Sequence, residues 1–279
     1  MGGEGAPGAY NGRMNATLSG LHIYPVKSCA ALSPDQAQVE PRGLVGDRRW
    51  MIVDADGSFV TARKYPRMVL IRVETASDSL QLTAPGMSDL QLRPALERTR
   101  VAANVWGSKV SASPAGEVAD AWISRYLGFA ARFVHMDAEC KRAIDTRYAQ
   151  SGEEVSFADG FPLLLISQGA LDDLNKRLAE PVEMLRFRPN LIVAGAAAHA
   201  EDGWRSIRIG AVHFDVVKAC VRCVFTTVQP GRGEFDPSGE PLRTLLGYRR
   251  TEKGVTFGQN LIPRDSGVIR RGDRVEVLA

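Results

Sequence analysis

Residues 206–217 read SIRIGAVHFDVV. Ile207 and Ile209 before Gly210, and Val212, Phe214 and Val216 after it, place an apolar side chain at every second position. That is the period of a half-buried strand and not of a helix. The stretch predicts two strands joined by a turn at Gly210. Working outward, runs of the same kind dominate. TLSGLHIYPVKS (17–28) begins as a strand and breaks at Pro25. RRWMIVDADGSFVTAR (48–63) predicts a hairpin around Asp54–Gly57, where Gly57 can take a positive φ. MVLIRVET and SLQLTAP predict a strand pair, and LQLRP and TRVAANVWGSKVSASP add short strands. FPLLLI (161–166) and NLIVAG (190–195) suit buried strands, and SGVIRRGDRVEVL (266–278) predicts two more around Gly272 and Asp273.

Helical spacing is confined to a few places. Residues 117–127 carry Val118, Ala121, Trp122 and Tyr126 on one face, with Gly128 as a stop. Residues 168–179 follow Ser167 as N-cap, with Asp172 and Asp173 early and Leu171, Leu174 and Leu178 apolar. A short helix is expected at 241–248. Residues 141–160 are polar and predict an exposed loop. Strands outnumber helices and do not alternate regularly with them, which excludes a doubly wound parallel sheet. The expected class is α+β and β-rich: a β-barrel-like domain over 16–136, then a mixed β-barrel domain with a few helices over 137–279. The Gly-rich residues 1–15 are expected to form a disordered tail.

The 279 residues are 44% hydrophobic and 24% charged, ordinary for a globular protein. A net charge of +3 lacks the dense basic stripe of a duplex nucleic-acid binder, so no nucleic-acid partner is expected. No apolar run approaches the roughly 18–20 residues that span a bilayer, so no membrane association is expected. The start lacks the apolar core of a secretory signal, and Met-Gly-Gly has no Ser or Thr at the sixth residue for myristoylation. Four cysteines in a chain this long do not make a disulfide framework. These features predict a cytoplasmic protein, and no self-complementary apolar stripe argues against a monomer.

KACVRCVFTTVQP (218–230) sets Cys220 and Cys223 three residues apart. Half of a structural zinc site, a redox pair, two packed thiols and a single soft thiolate ligand all remain open. Zinc wants a second close pair, which Cys29, Cys140, His22, His135, His199 and His213 do not form by spacing. A thioredoxin-like pair should open a helix, whereas VFTTV reads as strand. Arg222 beside a thiolate would favour its charged form. In RFRPN (186–190), Arg186 and Arg188 would share a face if the segment is a strand, a spacing suited to phosphate or to a solvated surface. Lys27 and Ser28 follow the break at Pro25. Arg48 and Arg49 open a strand on opposite faces, and Asp159 precedes Gly160 in a turn.

Taken in order, IYPVKSCAAL, GDRRWMIVD, TARKYPRMVLI, FADGFPLLLISQGALDDLNKRL, RFRPNLIV, EDGWRSIRIG, CVRCVFTTVQPGRGE and FGQNLIP resemble a MOSC protein with an N-terminal β-barrel domain. The nearest types are the amidoxime-reducing component of mitochondria and bacterial YcbX-type proteins. The resemblance implies a molybdenum cofactor, a pterin dithiolene with a terminal phosphate, lying between the domains. Cys223 would be the protein's sulfur ligand to molybdenum, with Cys220 as the fallback. Lys27, Ser28 and Arg48 would hold the cofactor from the first domain, and Asp159, Arg188, Asn190 and Arg222 from the second. Asp159 would also act in catalysis by orienting water or substrate.

The implied function is a reductase of N-hydroxylated compounds (amidoximes, hydroxylamines, N-hydroxylated bases) by oxygen-atom transfer at molybdenum, without pyridoxal phosphate. The alternative is a carrier of the cofactor, or of persulfide sulfur, without turnover. The sequence ends at VEVLA with no fused ferredoxin domain, so a separate electron donor of ferredoxin, flavodoxin or flavin reductase type is expected. Mitochondrial members carry a targeting and membrane segment where this sequence has its polar Gly-rich tail. Phe161 stands where those members have a small polar residue.

Overall fold

The computed structural model describes residues 15–76, 79–95 and 99–279. The expected tail at 1–15 lies outside the described residues except for Asn15. The described α-helices are α1 (Glu117–Leu127), α2 (Gln168–Asn175) and α3 (Leu242–Tyr248).

The decisive stretch forms the predicted hairpin. Ile207 faces Phe214, Ile209 faces Val212, and Gly210 turns at φ 57°. It belongs to a nearly closed barrel-like sheet. Around that sheet run Thr17–Leu21, Leu191–Ala194, Leu163–Ser167, Gly254–Pro263, Val212–Val221, Ser206–Ile209 and Val275–Val277. The last strand leads back to the first: Thr17 bridges Arg274, and the Val275 amide donates to the Ala16 carbonyl. Inside lie Leu18, Leu165, Val193, Ile207, Phe214 and Leu261, each fully buried. Burying an aliphatic or aromatic side chain of this size is worth about 1.5–3 kcal/mol. Leu163–Ser167 and Leu191–Ala194 run parallel, and α2 lies in the crossover between them. Gly258 takes φ 79°, and a Cβ there would meet Ile166 Cγ1 at 2.5 Å.

The first half builds a second core. One sheet joins Trp50–Asp54, Ala131–His135, Ser108–Pro114 and Val101–Val105; another joins Arg72–Ala76, Ser79–Thr83 and Leu90–Leu92. Trp50, Ile52, Leu82, Leu92, Ile123 and Phe133 share one cluster with α1. Two strands that precede residue 136 pair with the second half: Thr17–Leu21 with Leu191–Ala194, and Gln36–Glu40 with Gly267–Arg270. Among the described residues no helix is long and apolar enough to cross a membrane.

Three readings change. In α1 the buried face is Ala119, Trp122, Ile123, Tyr126 and Leu127, while Val118 is 79% exposed and Ala121 is also exposed. Trp122 Nε1 donates to the Ser88 carbonyl at 2.6 Å and Tyr126 Oη to the Arg67 carbonyl at 2.8 Å, and these bonds turn the helix away from 118 and 121. Residues 68–70 form part of a 3₁₀ turn, Pro66–Leu70, ahead of the predicted strand. The 141–160 segment is not simply an exposed loop, because Arg142, Val155, Ser156 and Phe157 are buried. Its polar composition is misleading: Arg142 Nη1 donates to the carbonyls of Ser156 and Ala158, and Nη2 to that of Asp159.

Candidate functional site

A cleft with about 120 Å³ of space opens where the 26–29 and 48 loops of the first half meet the rim of the barrel. Lys27, Ser28, Arg48, Asp159, Arg188, Asn190, Cys220, Arg222 and Cys223 all line it. Every site residue chosen from the sequence therefore reaches one place, although they come from segments nearly 200 positions apart.

Local backbone conformation aims these side chains. The Lys27 amide donates to the Trp50 carbonyl at 2.8 Å, which docks the Pro25 break onto the first-half sheet. Ser28, Arg48 and Arg188 are left-handed, at φ 70°, 47° and 56°. Such residues are uncommon without a glycine and cost about 1–3 kcal/mol each. Only Trp106 and His199 share the trait among the described non-glycine residues, and Trp106 bonds to Asp159 in the cleft. The strain is concentrated around this site.

The strand reading of RFRPN does not hold. Met184–Phe187 is a 3₁₀ turn ending at left-handed Arg188, so the two arginines do not share a strand face. Arg186 pairs with Asp236 at 3.1 Å, while Arg188 Nη1 donates to the Cys29 carbonyl at 2.7 Å. Arg48 does not open the strand either, since that strand begins at Trp50. VFTTV is likewise not a strand through its length. Val224–Thr227 is a 3₁₀ turn, in which the Thr226 and Thr227 hydroxyls donate to the carbonyls of Cys223 (3.0 Å) and Val224 (2.8 Å). Those back-bonds offset the extended preference of β-branched residues. Cys220 sits near the end of Val212–Val221 and Cys223 caps the turn.

Around Asp159 the charges interlock. Lys27 Nζ lies 2.6 Å from Oδ1 and Arg63 Nη2 lies 2.5 Å from Oδ2, while Trp106 Nε1 donates to Oδ1 at 3.0 Å. Desolvation works to raise the carboxyl, but Lys27 and Arg63 outweigh it and hold it well below the usual range. Asp159 is thus ionised and offers no proton. Lys27, which also donates to the Phe157 carbonyl at 2.7 Å, is lowered by burial to about 8 against the pull of Asp159. Arg63 Nε donates to Cys223 Sγ at 3.2 Å. Burial raises Cys220, and it raises Cys29 to about 12, so both are held as thiols.

Asn190 is fully engaged by protein. Its Oδ1 accepts from Arg48 Nη1 at 2.9 Å and the Leu164 amide at 3.2 Å, and its Nδ2 donates to the His22 carbonyl and Asp47 Oδ1 at 3.0 Å each. It positions Arg48, which also pairs with Asp47 at 2.7 Å.

Arg188 and Arg222 differ. Arg222 Nε and Nη1 donate to the carbonyls of Phe257 (2.9 Å) and Phe187 (3.0 Å), and Arg188 packs over the Tyr24 ring at 4.0 Å. Each guanidinium keeps a buried Nη2 with no protein partner. A buried donor left unpaired costs about 1–3 kcal/mol. Burial lowers Arg188, to about 10, so it remains charged at neutral pH. Two guanidinium groups lining a cleft beside a thiol fit an anionic, phosphate-bearing, metal-containing group. Among the described residues no set of three His, Cys, Asp or Glu could hold a metal by itself, so Cys220 and Cys223 lack the further ligands of a zinc site.

The sequence reading passed over Arg63 and Trp106. Arg63 was only the last residue of a hairpin arm, where alternation says nothing of partners across the cleft. Trp106 had one signal, a large aromatic just before Gly107 at a turn.

Residues 15–130 match the family model for the MOSC N-terminal beta barrel domain, and residues 152–276 match the model for the MOSC domain. Mitochondrial amidoxime-reducing component 1 of Mus musculus is 35% identical over 94% of this chain and 82% of its own. The Homo sapiens component 1 is 34% identical over 94% and 83%. Component 2 of Rattus norvegicus is 36% identical over 93% and 82%. These names overturn the cytoplasmic expectation, since each relative is called mitochondrial. The polar start of the sequence was a poor guide to placement.

Proposed function

This chain belongs to the MOSC family, in the form with an N-terminal β-barrel domain, and we propose that it reduces N-hydroxylated compounds with a molybdenum cofactor held in the cleft. The observation that carries this reading is the pair of unpartnered buried guanidinium nitrogens, Arg188 Nη2 and Arg222 Nη2, in the same cleft as Cys223. They would receive the pterin phosphate, which Arg binds through paired N–H donors. Cys223 would add a thiolate, a ligand suited to a soft metal site. The relatives' names, amidoxime-reducing components, support the substrate class.

When bound, the cofactor would supply the two-electron chemistry that cleaves an N–O bond. The chain's own residues do the rest. Arg63 holds Cys223 and Asp159 together. Asp159, kept ionised, orients Lys27 and Trp106 at the floor and rim. Reducing an amidoxime to an amidine and water takes up two electrons and two protons. Lys27 Nζ, lowered to about 8, can hold one of those protons near neutral pH. A separate donor protein would deliver the electrons.

The test is turnover of an amidoxime by molybdenum-loaded protein with a supplied reductant, for the wild type and Cys223→Ser. The variant should lose amidine formation by about a thousandfold or more while its thermal unfolding stays unchanged. Full turnover by Cys223→Ser would remove Cys223 from the metal.

A further inference from the structure

We propose that Trp106 is the specificity-determining residue of this cleft, a fixed aromatic platform at its rim that selects planar, conjugated N-hydroxylated substrates over aliphatic ones. This rests on the reductase reading above and adds to it a substrate shape and the residue that reads it.

The indole is unusual for its setting. Trp50, Trp122 and Trp204 are 5%, 6% and 7% exposed, whereas Trp106 is 50% exposed. It sits at the tip of the hairpin formed by Val101–Val105 and Ser108–Pro114. Trp106 and Gly107 both take left-handed backbone there, at φ 52° and 83°. A bulky aromatic in that conformation is a genuine outlier, and asparagine or aspartate would sit there with less strain. The tip is not loose, because the Asn104 amide donates to the Gly57 carbonyl at 2.8 Å and the Phe59 amide to the Asn104 carbonyl at 3.1 Å.

The side chain is held as well. Its Nε1 donates to Asp159 Oδ1 at 3.0 Å, the Arg63 guanidinium lies 4.8 Å from its ring centroid, and Phe59 meets it at 4.9 Å and 52°. Asp159 and Arg63 both line the cleft, and Arg63 also touches Cys223. Trp106, half exposed and pinned through Asp159 and through Arg63, which itself contacts Cys223, stands beside the cleft with part of its aromatic surface free. Val221 and Val224, 42% and 44% exposed, lie within two residues of Cys223 in sequence, and Val221 lines the cleft. A planar aryl or conjugated N–C–N group gains from stacking on such a face, and an alkyl group gains much less.

Binding of benzamidoxime and of acetamidoxime is compared by calorimetry on oxidised protein without reductant, for the wild type, Trp106→Leu and Trp106→Phe. Trp106→Leu should weaken benzamidoxime about tenfold and leave acetamidoxime within about twofold, while Trp106→Phe retains most of the aryl preference. With reductant, the same loss should fall in KM and not in kcat. Equal weakening of both ligands, or of neither, overturns the platform. Trp106→Phe losing the preference as fully as Trp106→Leu would overturn stacking as its source. Thermal melting of each variant separates a folding defect from lost selectivity. Because binding is read without turnover, a protein that binds with aryl preference but never reduces would sink the reductase reading and leave Trp106 standing.

Discussion

At the level of single residues, Arg188 keeps a buried donor with no protein partner. The residue is charged, half-buried and stacked on Tyr24. Arg188→Met should lower cofactor retention at least tenfold, because a charge-assisted hydrogen bond is worth about 1.5–3 kcal/mol. In the empty protein the same change should shift unfolding by no more than about 1 kcal/mol, since it also removes an unpaired donor. Retention assays and melts on one preparation check both. Lys27 supplies a pH test. Its folded value of about 8 lies below the free-lysine value of 10.5, so the unfolded chain binds more protons between the two. Stability gained from this group is therefore absent below pH 8 and appears as pH rises toward 10.5. Relative to Lys27→Met, the wild type should gain up to roughly 3 kcal/mol across that window in denaturant titrations. Much of this site was legible in sequence because motif identity names residue types: Lys27, Ser28, Arg48, Asp159, Arg188, Arg222 and Cys223 all face the cleft. Arg63 was not legible, because its partners, Cys223 and Asp159, lie 160 and 96 positions away.

Among the elements, α1 shows where periodicity succeeds and where it slips. Its bounds follow from Gly116 and the left-handed stop at Gly128. Its phase was misjudged, because Val118 and Ala121 are apolar without being buried. Trp122→Ala should cost about 3–5 kcal/mol, whereas Val118→Ala should stay within about 0.5 kcal/mol, both read by denaturant unfolding. The two 3₁₀ turns, Met184–Phe187 and Val224–Thr227, were invisible to an alternation test. Four residues are too few to establish a period, and the hydroxyl back-bonds that favour the turn depend on the backbone already being bent. Gly258 should resist substitution. A Cβ would meet Ile166 Cγ1 at 2.5 Å and the Leu165 carbonyl at 2.7 Å, so Gly258→Ala should lower the melting temperature sharply.

Over the whole molecule, the barrel is completed by the first strand of the chain. Thr17–Leu21 fills the gap between Leu191–Ala194 and the return at Arg274, and Gln36–Glu40 covers Gly267–Arg270. A fragment of residues 137–279 lacks both, so it should show no cooperative thermal transition. A cooperative melt for that fragment would mean the barrel closes without the first strand. The β-rich class was legible because two-residue periods recur along the chain. The partner of each strand was not, because alternation identifies a buried face and says nothing about what covers it. The same closure brings Lys27 and Arg48 from the first half onto the rim that carries Arg188, Arg222 and Cys223.

The central claim, that this cleft holds molybdenum through Cys223, is tested most directly by X-ray absorption at the molybdenum edge on wild type and Cys223→Ser. The account predicts molybdenum in both preparations, with one fewer sulfur neighbour in the variant. An unchanged sulfur count would contradict the ligand, and a wild type that carries zinc and no molybdenum would contradict the site.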